Sequence, residues 1–157
     1  MNDQFYMHEA LKEAQKAFDE NEVPIGAVAV FKNQIIGRGH NQIERLQDPT
    51  AHAEIIAITA AANALRTWRL DSVIVYTTIE PCIMCAAALV HARVKKIVFG
   101  ARDEKFGGCG SIFNVVQERK LNHQVEVVEG VMAEEAAGLM KKFFAKKRKK
   151  MDSPVST

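Results

Sequence analysis

Cysteine is scarce in this chain. Its 157 residues hold three, Cys82, Cys85 and Cys109. An odd and small number makes no disulfide framework, and a chain of this length buries roughly 70% of its unfolded surface without such staples. Four prolines and nine glycines are too few for a collagen-like or low-complexity chain. No apolar run approaches the roughly 18 residues of a membrane helix, so no membrane partner is expected. The opening MNDQFYMHEALKEAQ lacks the basic head and apolar core of a secretory signal, which points to the cytoplasm. With 48% hydrophobic and 25% charged residues, the composition is globular and sized for one domain.

Acid is locally absent. Residues 141–150, KKFFAKKRKK, contain seven bases and no Asp or Glu. The rest of the chain carries 14 bases against 19 acids, so the net charge of +2 hides an acidic body with a basic end. That asymmetry suits a polyanionic partner. It equally suits a solvated helix end, where cations favour the helix dipole.

The patterning predicts helices and strands in alternation. Phe5, Ala10, Leu11, Ala14 and Phe18 recur at helical spacing, giving a helix over Phe5 to Glu20. Ile25 to Phe31 and Ile35 to Gly39 read as strands of a hairpin turned at Lys32-Asn33-Gln34. Leu46 to Thr50 reads as a loop, and Ala51 to Leu65 as a helix capped by Thr50. Ser72 to Thr77 is a β-branched strand, and Pro81 introduces a helix over Cys82 to Ala92. Lys95 to Gly100 and Gln124 to Val128 are further strands, with a flexible loop at Gly107, Gly108 and Gly110 between them. Ala133 to Lys150 is a final helix, in which Ala136, Leu139, Met140 and Phe143 form a core stripe. Residues 1–150 thus form one domain and residues 151–157 a frayed tail. The order predicts an α/β fold, a three-layer α/β/α domain around about five strands.

Two motifs carry chemistry: His52-Ala53-Glu54 and Pro81-Cys82-Ile83-Met84-Cys85. Cysteines three apart on a helix face the same way. In the first turn after Pro81 the helix's positive end favours thiolate, the form that binds metal. Two thiolates and one imidazole, at His52, suit zinc, and three protein ligands leave a fourth position open for chemistry. Glu54 is about 200° around a helix from His52, so both reach one site only off the helix's N-terminal end. There a carboxylate can exchange protons with activated water. A fourth ligand at Cys109 or His91 would make the zinc structural instead. A redox C-x-x-C would leave His52 and Glu54 without a role.

On these motifs the sequence resembles the bacterial tRNA-specific adenosine deaminases of the cytidine/deoxycytidylate deaminase superfamily. The resemblance runs from about residue 5 to 150. It includes Glu22 to Val28, Asn41, Pro49 to Glu54, Glu80 to Cys85, Phe99 to Asp103, Leu121 to His123 and Phe143-Phe144. It implies a cytidine deaminase-like fold with a mixed sheet and one Zn2+ per subunit on His52, Cys82 and Cys85. Glu54 then carries protons during hydrolysis at C6 of the wobble adenosine in an arginine tRNA anticodon stem-loop. It also implies a homodimer. Asn41 matches a residue that hydrogen-bonds the flipped base, Val23 and Pro24 an apolar wall, and Asp103 a position near the target ribose. An amide offers a purine edge both donor and acceptor. Phe144, one step off the helix stripe, is placed to stack on a splayed base, and Lys147 and Arg148 to meet phosphates. Gln42-Ile43 departs from the family pattern. Three readings stay open beside this one: a free nucleoside or nucleobase deaminase, a zinc module that only binds nucleic acid, and a thiol-disulfide oxidoreductase.

Overall fold

A five-stranded mixed sheet lies between two helical layers in the computed structural model, which describes residues 2–151. The first helix, α1, spans Asp3–Asp19 and starts at Asn2, whose side chain accepts from the Gln4 N–H. Met7, Ala10, Ala14 and Ala17 form its buried stripe. Strands β1 (Gly26–Phe31) and β2 (Gln34–His40) make the expected hairpin. Its two turn residues, Lys32 and Asn33, both take positive φ, the geometry that matches a twisted two-residue turn.

The expected loop is present from Gln47 to Thr50, and an unexpected helical turn precedes it. Ile43–Leu46 forms a short helix, α2, before α3 at Ala53–Leu65. Helix α3 starts later than the periodicity suggests. His52 takes the N-cap position, while the Thr50 hydroxyl donates to Asp48 rather than capping. Strand β3 (Ile74–Ile79) leads to α4 (Ile83–His91), with Cys82 and Ala92 as its caps. Strand β4 (Lys96–Ala101) is followed by a 3-10 turn at Val115–Gln117, by β5 (Glu126–Val128) and by α5 (Ala133–Met151). Met151 thus ends a helix, and the rest of the expected tail, residues 152–157, lies outside the described residues.

The strand order is β2-β1-β3-β4-β5. Strand β1 runs antiparallel to both neighbours, whereas β3, β4 and β5 are parallel. Side chains alternate between faces, as a strand requires. Val28, Val30, Tyr76 and Val98 meet α1, while Ala29, Val75, Ile97 and Phe99 meet α3 and α4. Helix α5 joins the α1 layer, with Phe143 edge-on to Phe18 at 5.9 Å. Helix α3 presses directly on β2 because Gly37 and Gly39 have no side chain; a Cβ at either would strike the α3 backbone. No helix among the described residues is long and apolar enough to cross a membrane.

Candidate active site

Strands β3 and β4 end on the same side of the sheet, and α3 and α4 start there. The residue before each helix is therefore aimed at one place. His52 and Cys82 are those N-cap residues, and Cys85 follows one turn into α4. The Nδ1 of His52 lies 3.6 Å from the Cys82 Sγ and 3.5 Å from the Cys85 Sγ. Tetrahedral zinc, with Zn–S about 2.3 Å and Zn–N about 2.0–2.1 Å, sets nitrogen and sulfur roughly 3.6 Å apart. The trio therefore fits zinc in donor type and in spacing. Its imidazole also hydrogen-bonds the Pro49 carbonyl, the kind of outer contact that fixes a ligating histidine ring.

The three groups share protons unevenly. The Cys85 hydrogen bond, helped by His52, holds the Cys82 thiol down to about 4. Cys85, bonded to that thiolate and deeply buried, is pushed up. Cys109 is also buried but stands outside the His52, Cys82 and Cys85 group. His91 ends α4, away from Cys82 at its start. Among the described residues, neither supplies a fourth ligand.

Glu54 sits one residue inside α3 and is 4% exposed. Burial, the largest effect, pushes its carboxyl up to about 7. It shares with His52 and Cys82 the floor of a cleft of about 740 Å³. That is several times the volume of one nucleobase and within the usual range for ligand sites.

The other expected residues divide into two sets. Asn41, Val23, Asp103 and Phe144 all line the cleft. Asn41 is buried just past β2, and its Oδ1 accepts from the Ala53 N–H at 2.9 Å. One amide face is thereby tied to the start of α3, and the Nδ2 donor is what it offers the cleft. Asp103 uses Oδ1 to accept from the backbone N–H of Lys105 and Phe106, at 3.0 and 3.1 Å. Pro24 is buried behind the wall that Val23 makes. Met140 is half-buried and lines the cleft as well, instead of filling the core. Lys147 and Arg148 lie further along α5, outside the cleft lining, with the Lys147 Nζ 5.3 Å above the Phe143 ring.

Two buried acids organise the walls, and motif reading missed both roles. Glu80, between β3 and Pro81, accepts from the N–H groups of Asp103, Cys109 and Ser111 and from the Ser111 hydroxyl. Burial works against its ionisation, yet the Ser111 hydroxyl and those N–H groups hold its carboxyl below the usual range. The glycine loop is therefore built around an anion rather than loose: Gly107 and Gly108 are buried, and a Cβ on Gly107 would run into the Glu80 carboxylate. Glu22 accepts from the N–H groups of Glu44 and Arg45 at 3.1 and 2.8 Å, pinning α2 beside the opposite wall. The only sequence cue was position: Glu80 directly precedes Pro81-Cys82, and Glu22 precedes Val23-Pro24.

Residues 1–148 match the MafB19-like deaminase family. The tRNA-specific adenosine deaminase of Bacillus subtilis (strain 168) is 52% identical over 148 residues, covering 94% of this chain and 92% of the relative. The enzyme of that name from Aquifex aeolicus (strain VF5) is 46% identical over 148 residues, covering 94% and 97%. A structure solved in a study of A-to-I editing by tRNA:A34 deaminases superposes with a TM-score of 0.83 at 40% identity, covering 86% of this chain and 98% of that one. Its fold, its zinc-compatible trio and these relatives together make the chain a member of the MafB19-like deaminases, in the family of tRNA-specific adenosine deaminases.

Proposed function

We propose that the chain hydrolyses adenosine to inosine at the wobble position of a tRNA anticodon, that of an arginine tRNA. It does so as one domain over residues 1–150, as a cytoplasmic homodimer with one zinc per subunit. The observation that carries this reading is the placing of Glu54 beside His52 and Cys82 in one cleft, with Cys85 completing the zinc-compatible trio. When bound there, zinc lowers the pKa of water from about 15.7 toward 7 and so supplies a nucleophile at neutral pH.

The chain's own residues do the rest. Glu54 would take a proton from the attacking water and give it to N1 of adenine as C6 is attacked. It then takes the proton of the new C6 hydroxyl and passes it to the leaving amine, so the C6–N bond breaks to release ammonia and the C6 carbonyl of inosine forms. A carboxyl held near neutrality by burial suits both directions of transfer. The Asn41 Nδ2 donates to an acceptor on the base, and Val23 packs against the ring. Asp103 keeps Oδ2 for a ribose 2′-OH, which would favour RNA over DNA. Phe144 stacks on a splayed base, and Lys147 and Arg148 meet phosphates.

The test is incubation of zinc-loaded protein with an anticodon stem-loop bearing a wobble adenosine, and separately with free adenosine, adenine and cytidine. Inosine in the RNA, at that position alone, is the expected result. Turnover of a small molecule with the RNA untouched would keep the Glu54 chemistry and move the substrate to free nucleosides or bases. Asp103→Asn with paired RNA and DNA loops tests the ribose contact, whose expected outcome is a reduced RNA preference.

A further inference from the structure

Phe106 stands at the cleft with 64% of its surface exposed, the most open of the lining residues' large apolar side chains. It is also held firmly. Asp103 Oδ1 accepts from the Phe106 N–H, the Asp103 carbonyl accepts from the Gly107 N–H at 3.0 Å, and Glu80 grips the loop on both sides of that turn. A presented ring on a fixed loop loses little freedom on binding. Phe144, 40% exposed, lines the same cleft from α5, and Lys105 lies beside Phe106 at its rim. Exposed aromatics beside a cation, around a cavity wider than one base, are the chemistry of a stacking platform for single-stranded RNA.

We propose that Phe106 stacks on a nucleobase flanking the target adenosine, making a second base subsite at the mouth of the cleft. The inference rests on the RNA-deaminating reading above and names a residue that reading does not use. Stacking accepts any base face, so this subsite adds affinity with little sequence preference.

The experiment compares wild type, Phe106→Ala and Phe106→Trp on the anticodon stem-loop. It adds a panel of stem-loops in which each loop nucleotide other than the target is abasic in turn. Binding is read by fluorescence anisotropy and turnover by inosine formed. Phe106→Ala is expected to raise Kd and KM on the order of tenfold with kcat at saturation unchanged, and Phe106→Trp to restore both. On one abasic substrate, wild type and Phe106→Ala should bind alike, because the stacked base is already gone. An equal penalty on every abasic substrate would overturn the proposal, as would no penalty on the intact loop. A changed oligomeric mass for Phe106→Ala would overturn it in favour of a contact with a second copy of the chain. Failure of the wild type to form inosine while binding the loop would instead count against the proposed reaction.

Discussion

Glu54 and Glu80 are the same side chain, each with almost no exposed surface, in two regions with different neighbours. Glu54 is 4% exposed and Glu80 is 3% exposed. One stands at the start of α3 and the other just before α4. Burial alone would push both toward the neutral form, and it does so for Glu54, up to about 7. Glu80 goes the other way because the Ser111 hydroxyl and three backbone N–H groups solvate its charge. The region around Glu54 keeps a proton exchangeable near neutral pH. The region around Glu80 fixes an anion and, with it, the loop that carries Asp103 and Phe106.

The comparison breaks first at the metal ligands. Cys82→Ala removes one of three donors, so zinc content and activity should both be lost from a protein that still folds; metal analysis beside a melt checks this. Stripping zinc with a chelator should abolish turnover, and adding zinc back should restore it. Glu54→Gln separates the two roles. It should keep one zinc per chain and lose roughly 10²–10⁴ of kcat. Near wild-type turnover in that variant would end the proton-carrier role.

Glu80→Gln probes the other side. It places an amide where the N–H groups of Cys109 and Ser111 need an acceptor. A loss of about 2–3 kcal/mol in urea unfolding is expected, with kcat falling far less than for Glu54→Gln. The sign with pH follows from the lowered carboxyl. Its stabilising contribution is complete above the ordinary value of 4.5 and is lost as pH falls through the depressed folded value. Unfolding curves from neutral pH down into that window should therefore slope in wild type and flatten in Glu80→Gln. Equal slopes would mean that Glu80 is not the anion that the loop is built on.

Much of the site was legible in the sequence, and the reasons are local. Cysteines three apart after a proline share a helix face wherever the helix lies, and the H-x-E motif opens the helix before it. The layers followed from alternating helix and strand patterns. Where the reading slipped, competing contacts decided the outcome, one of them local and the others long-range. Thr50 has the side chain of a cap, but Asp48 takes its hydroxyl and α3 starts at His52. Gly107 and Gly108 read as loose until Glu80, 27 residues earlier than Gly107, fills the space at Gly107, and Cys82, Ile83 and Ala86 fill that at Gly108. Met140 fits the apolar stripe of α5, yet that helix crosses the cleft and turns Met140 toward it. A carboxylate's role depends on which N–H groups surround it, and for Glu80 these lie 23 to 31 residues away.

The basic end of α5 offers the smallest effect and a third kind of region, charged but neither buried nor part of the cleft. Lys146 and Lys147 lie over the Phe18 and Phe143 rings, each at 5.3 Å, so their stems are spoken for while their charges face water. Such cations act on a polyanion at a distance and leave proton transfer alone. Deleting residues 146–157 should therefore weaken stem-loop binding on the order of tenfold and flatten its salt dependence, each lost phosphate contact taking about 0.7–0.9 from the log–log slope. Turnover at saturating RNA should stay unchanged, because Glu54 and the three ligands lie elsewhere. Titrations at several salt concentrations, with a melt to register the lost ring contacts, make the comparison. An unchanged affinity and slope would reduce the five bases of residues 146–150 to cations that favour the helix dipole, and would leave RNA recognition to the rest of the chain.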